Sequence, residues 1–157
     1  MDNKEENLQE SSIAAEGTLV IEVTDEHGNV KDRRELTNLV VTVGKAHIVS
    51  RMQGVAQAAM GWIAVGTDAT AADAANTALG AEAGRVAASP TIVTTDTAND
   101  TSQLIAVFPA GTATGALVEA AVLNAASAGT LLSRVTFAVV NKGALDGMTI
   151  TWQVKIS

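Results

Sequence analysis

Met148-Thr149-Ile150-Thr151-Trp152-Gln153-Val154-Lys155-Ile156 places an apolar side chain at every second position and a polar one between. Successive side chains of a strand point to opposite faces, so this run has one dry face and one wet face. Two earlier runs, Gly115 to Asn124 and Thr130 to Val140, are also strand-like. Turn residues separate the three: Ala125-Ala126-Ser127-Ala128-Gly129, then Asn141-Lys142-Gly143 through Asp146-Gly147. The C-terminal third therefore reads as antiparallel sheet with one face packed. The last strand is expected inside that sheet, with Trp152 as a core anchor.

Working back toward the N-terminus, Thr18 to Thr24 reads as a strand with Leu19, Ile21 and Val23 on one face. Asp25-Glu26-His27-Gly28-Asn29 supplies a hairpin turn. The return strand, Val30 to Thr37, carries charge on both faces, as a sheet edge or exposed ribbon does. Asn38 to Val43 is short and apolar. After Gly44 the period becomes helical, with Ile48, Met52, Val55 or Ala56, and Ala59 on one side and His47, Arg51, Gly54 and Gln57 on the other. This predicts one amphipathic helix over 45–60, ended by Gly61. Trp62 to Val65, Val86 to Thr95 and Ser102 to Pro109 add strands. Gly66 to Arg85 reads as a long loop with a turn of helix near Ala74 to Leu79.

Seven or eight strands and one helix predict a mainly β fold: an antiparallel β-sandwich or jelly roll with the amphipathic helix on one side. Residues 1–16, with five acids against Lys4, predict a flexible acidic N-terminal arm. Residues 17–157 are expected to form a single β-sandwich domain.

Composition narrows the function classes. Of the 157 residues only 17% are charged, below the roughly 25% of an ordinary domain. Hydrophobic residues reach 47%, but aromatics only 3%. A core of Val, Leu, Ile and Ala gains less per residue than an aromatic one, which favours a homo-oligomer or another covering partner. The net charge of −7 repels phosphate backbones and argues against nucleic acid. No apolar run approaches the roughly 20 residues of a membrane span, and the N-terminus lacks the features of a signal peptide. Synthesis in a cytoplasm is the expectation. The absence of cysteine excludes disulfides and thiolate metal sites.

Chemistry-bearing residues are sparse. His27 falls in a turn and His47 on the polar helix side; both are expected to be solvent-exposed, without partners at ligand spacing. No nucleophile elbow is present. Asp96 and Asp100, like Asp68 and Asp73, fit Asx turns better than a calcium site. Gly111-Thr112-Ala113-Thr114-Gly115 lacks the lysine of a phosphate cradle and reads as a strand-to-strand turn. No catalytic residue, metal or cofactor is expected. Glu119 and Arg134 lie within strands otherwise poor in charge, and a buried charge is costly unless paired. Arg134 and Arg85 are the candidate cations for Glu119, and Glu82 stands three residues from Arg85. These four residues are expected to form structural ion pairs.

Several stretches together resemble small structural proteins of tailed bacteriophages. They are Asn38-Leu39-Val40-Val41-Thr42-Val43-Gly44-Lys45, Trp62-Ile63-Ala64-Val65-Gly66-Thr67 and Thr77-Ala78-Leu79-Gly80-Ala81-Glu82-Ala83-Gly84-Arg85. Glu119-Ala120-Ala121-Val122-Leu123-Asn124, Leu131-Leu132-Ser133-Arg134-Val135-Thr136-Phe137 and Met148-Thr149-Ile150-Thr151-Trp152 continue the likeness, which covers roughly Asn38 to Ile156. The resemblance implies a virion protein and brings no catalytic residue with it. Head and tail both remain open. As a capsid decoration (cement) protein, the chain would bind the major capsid protein or other virion proteins on the outer shell. As a tail or fibre component it could read a host-surface glycan, although it has no tyrosine and only two tryptophans. An enzyme such as a wall hydrolase would want paired carboxylates in a cleft, to which no motif points.

Overall fold

The structure, a computed structural model, describes residues 12–157. It contains eight strands and one helix: β1 (Ala15–Thr24), β2 (Val30–Val40), α1 (Thr42–Met52), β3 (Trp62–Gly66), β4 (Glu82–Val93), β5 (Thr101–Phe108), β6 (Gly115–Leu123), β7 (Leu131–Lys142) and β8 (Gly147–Ile156). The strands close into one antiparallel barrel in the order β1-β2-β7-β6-β3-β4-β5-β8.

The barrel corrects the expected β-sandwich or jelly roll. Two long strands are responsible. The first part of β4, Glu82 to Ala87, pairs with β3, whereas Ala88–Val93 pairs with β5. Strand β2 pairs with β1 over most of its length and then with β7 at Leu39 and Val40. Each strand leaves one sheet and enters the next, so two sheets that could have stacked are joined at their corners. Alternation of apolar and polar residues is the same for a strand in a sandwich and one in a barrel, which is why the pattern did not separate them.

The inward faces fill the barrel. Register places Leu19, Trp152 and Leu104 side by side across β1, β8 and β5; Ile21, Ile150 and Ala106 make the next layer, and Val23, Met148 and Phe108 the one beyond. All nine are buried, and Ile63, Val65, Leu117, Val122 and Val135 close the other side of the same core. Each fully buried large side chain contributes about 1.5–3 kcal/mol relative to exposure. Strand β8 runs between β1 and β5 with Trp152 inside.

Outside the wall of β3, β6 and β7 lies a second apolar cluster, Val41, Ala64, Ala121, Leu123 and Leu131, with Val43, Trp62 and Leu79 packed on it. This explains why Leu117 to Leu123 is buried without interruption: β6 is covered on both faces. The cover comes from the start of α1 and the loop 67–81. The helix seats closely because Gly44 has no Cβ; one placed there would meet the Leu132 carbonyl. The helix is shorter than expected: it ends at Met52, and Gln53 to Gly61 continues as irregular chain. Gly54 has a φ of 68°, which a helix cannot hold. The helical turn expected near Ala74 to Leu79 is irregular loop instead.

Closure is thin at one seam. Strands β2 and β7 are matched only at Leu39↔Arg134 and Val40↔Ser133. Arg34 is opposite Ile21 and therefore shares the inward face, yet its side chain is 39% exposed. It forms an ion pair with Asp32, Nε to Oδ1 at 2.7 Å. Inward charges along an under-paired strand discourage pairing with another chain, which accounts for the charge on both faces of β2. Of the expected arm over 1–16, residues 1–11 lie outside the described residues; Ala15 and Glu16 belong to β1.

Candidate functional site

Glu119 projects from the outer face of β6, between Gly66 of β3 and Thr136 of β7. Its side chain is wholly buried. Arg134 reaches it from β7, with Nε at 3.0 Å and Nη2 at 2.9 Å from Oε2. The loop 67–81 closes over both. Ala81 N–H donates to Oε1 at 2.8 Å, Asp68 N–H to Oε1 at 3.2 Å, and Gly80 N–H to Oε2 at 3.0 Å. Arg134 then holds the far side of the loop, donating Nη2 to the Thr70 carbonyl at 2.9 Å and Nη1 to Asn76 Oδ1 at 2.9 Å and the Ala71 carbonyl at 3.4 Å.

A guanidinium has five N–H donors, and here five bonds engage them, two to Glu119 and three to the loop. The carboxylate accepts five in turn. No polar group of the pair is left to bind or transform a substrate, so its role is to pin the loop to the wall. Gly66 makes the approach possible, since a Cβ there would strike Glu119 Oε1 and the Ala81 carbonyl.

The loop is also ordered from within. Asp68 Oδ1 accepts the Thr70 N–H at 2.9 Å and hydroxyl at 2.7 Å, and these bonds, with Arg134 nearby, hold its carboxyl below the usual range. Asp73 caps Ala75 in the same manner. Asp100 accepts the amides of Thr95, Asp96 and Thr97. The Thr97 bond leads in holding its carboxyl far below the usual carboxylate value, against the opposing effect of desolvation. Among the described residues, no group of three His, Cys, Asp or Glu is placed to hold a metal.

Arg85 joins Glu82, Nη2 to Oε2 at 2.6 Å, and its Nη1 donates to the carbonyls of Ala125 and Ala128, tying the β6–β7 turn to β4. Arg85 and Glu119 do not meet: Arg134 is the cation that Glu119 takes. His27 is exposed, but His47 is not. It is 5% exposed, with Nδ1 2.8 Å from Gln57 Oε1. The helix was expected to run through Gln57; because it stops at Met52, the chain turns back and covers the imidazole.

Some polar features gave no signal. Asn38 and Ser133 lie on the inward face with Trp152, and their side-chain polar atoms have no hydrogen-bond partner, nor has the indole Nε1. Lys142 is buried, donates to the Pro109 carbonyl at 3.0 Å, and is pushed down by burial from its ordinary pKa. Next to it Asp146 binds Lys31 at 2.7 Å.

A cleft of about 420 Å³ opens at the end of the barrel where β1 begins and β8 finishes. Its apolar lining includes Ile48 of α1, Met60, Pro90 and Ile92 of β4, and Val154 and Ile156 of β8, and its polar members are His47, Arg51, Asn99, Asp100, Thr101 and Ser102. In comparison with known proteins, no family model matches the chain, and no curated protein or solved structure matches it.

Proposed function

We propose that this chain is a non-enzymatic structural protein of a tailed-bacteriophage particle: a capsid decoration, or cement, protein bound to the outer surface of the shell. The observation that carries this reading is where the residues of the resemblance go. Gly66, Gly80, Ala81, Glu119 and Arg134 come from four of the stretches that resemble phage structural proteins, and they meet in one buried knot. A knot whose donors and acceptors are engaged holds a shape and leaves no group free for turnover.

The surface agrees with this reading. Outward positions of β8 are Thr149, Thr151, Gln153 and Lys155, and its inward positions Met148, Ile150, Trp152 and Val154 are apolar, the inverse of a membrane-spanning strand. No helix among the described residues is long and apolar enough to cross a membrane. The net charge of −7 suits an outer surface away from packaged DNA. The mechanism is mass action: a protein that binds only the assembled shell stabilises it by about 2.7 kcal/mol per site at a hundredfold excess over Kd.

The test adds purified protein to expanded shells that lack it, then measures bound copies and the temperature at which filled particles release DNA. Saturable binding with a raised release temperature is expected. Binding to tails and not to shells would overturn the reading in favour of a tail or fibre component.

A further inference from the structure

We propose that the cleft at the α1 end of the barrel receives the N-terminal segment of a second copy of this chain, with Ile13 as its apolar anchor. Ala14 N–H donates to the Ser157 carbonyl at 2.7 Å and Ser157 N–H to the Ala14 carbonyl at 3.0 Å. The chain therefore leaves the barrel beside Ile156, a wall of the cleft. Ile13, the next residue out, is 81% exposed. Each copy thus presents at one end both a protruding apolar residue and an apolar receptacle that its own Ile13 does not fill.

The segment ahead of Ile13 carries Asp2, Glu5, Glu6 and Glu10 against Lys4. Arg51 and Asp100 both line the cleft, so one cation and one acid face the incoming segment, and the apolar contact of Ile13 carries the fit. The cleft lies within the roughly 300–1,000 Å³ of sites that enclose a small molecule, enough for a short stretch of chain rather than one side chain. Ile92 on its wall is 71% exposed, so the receptacle is open to solvent. With arm and receptacle at the same end, two facing copies can exchange arms reciprocally about a two-fold axis. This contact goes beyond the proposed function, because it joins copies of the chain and its test needs no virion component.

The chain has no cysteine, so introduced thiols report on single positions. Full-length Ile13→Cys protein is mixed with full-length Ile92→Cys protein under mild oxidation. Val30→Cys, exposed past the hairpin at the opposite barrel end, replaces Ile13→Cys in the control. Docking should make the Ile13/Ile92 heterodimer form at least about tenfold faster than the Val30/Ile92 one, as a raised effective concentration requires. Ile13→Glu should abolish concentration-dependent self-association in light scattering. Equal crosslinking rates, or a wild-type chain that stays monomeric at all concentrations, would overturn the proposal. So would an Ile13→Cys/Ile92→Cys double variant that closes its disulfide within one chain.

Discussion

Replacing Arg134 by methionine is the sharpest perturbation of the loop lock. Methionine retains most of the length and apolar volume of the arginine stem, so the change opens little cavity and isolates the polar loss. Two bonds to Glu119 disappear, together with those to Thr70, Ala71 and Asn76. What remains is a carboxylate of zero exposure that keeps three backbone donors and has lost its counter-charge. Removing one member of a buried pair costs about 3–5 kcal/mol, which is a large part of the 5–15 kcal/mol that holds a typical domain together. Urea unfolding followed by tryptophan fluorescence reads the loss, since Trp152 sits in the core and Trp62 packs beside the loop cover. Hydrogen exchange adds a local reading. The amides of Gly80 and Ala81 should lose protection in the variant, while those of β8 keep the protection that the remaining stability allows. A loss below about 1 kcal/mol, with Gly80 and Ala81 still protected, would refute the idea that the pair anchors the loop.

Trp152→Ala should destabilise by about 3–5 kcal/mol in thermal or denaturant unfolding, since it empties the centre of a core layer; near wild-type stability would remove Trp152 from that role. Gly66→Ala should cost about 1–3 kcal/mol as the new methyl displaces Glu119 or the Ala81 carbonyl, and a neutral effect would show that the loop has room to move. Asp100 has a folded pKa below its unfolded value, so its contribution to stability is present above about pH 4 and is lost as the pH falls through the folded value. The Tm of Asp100→Asn should therefore fall less steeply than that of the wild type below pH 4. Parallel curves would show that the Asp96–Asp100 turn carries no such linkage.

Much of the strand content was legible because period 2 survives wherever one face is buried. Met148 to Ile156 is an example: its neighbours β1 and β5 bury alternate residues. Closure was not legible, because it depends on β2 and β4 bending from one sheet into the next, and bending leaves the alternation intact. The helix is shorter than its spacing predicts because Val55, Ala56 and Ala59 keep a helical spacing by composition; the positive φ at Gly54 breaks it, and the same break buries His47 under Gln57. At the lock, charge in an apolar strand signalled a need for a partner, which pointed to Glu119 and Arg134. The loop amides that share the carboxylate have no sequence signature, because any residue supplies an N–H. The cleft was equally silent, its walls coming from six separate segments that only closure brings together.

The decoration reading meets its most direct test in a cryo-electron microscopy difference map between particles that contain this protein and particles from a phage lacking it. The account predicts difference density on the outer surface of the capsid, repeated over the joints between major capsid subunits. Density confined to the tail, or no density on the particle, would contradict it.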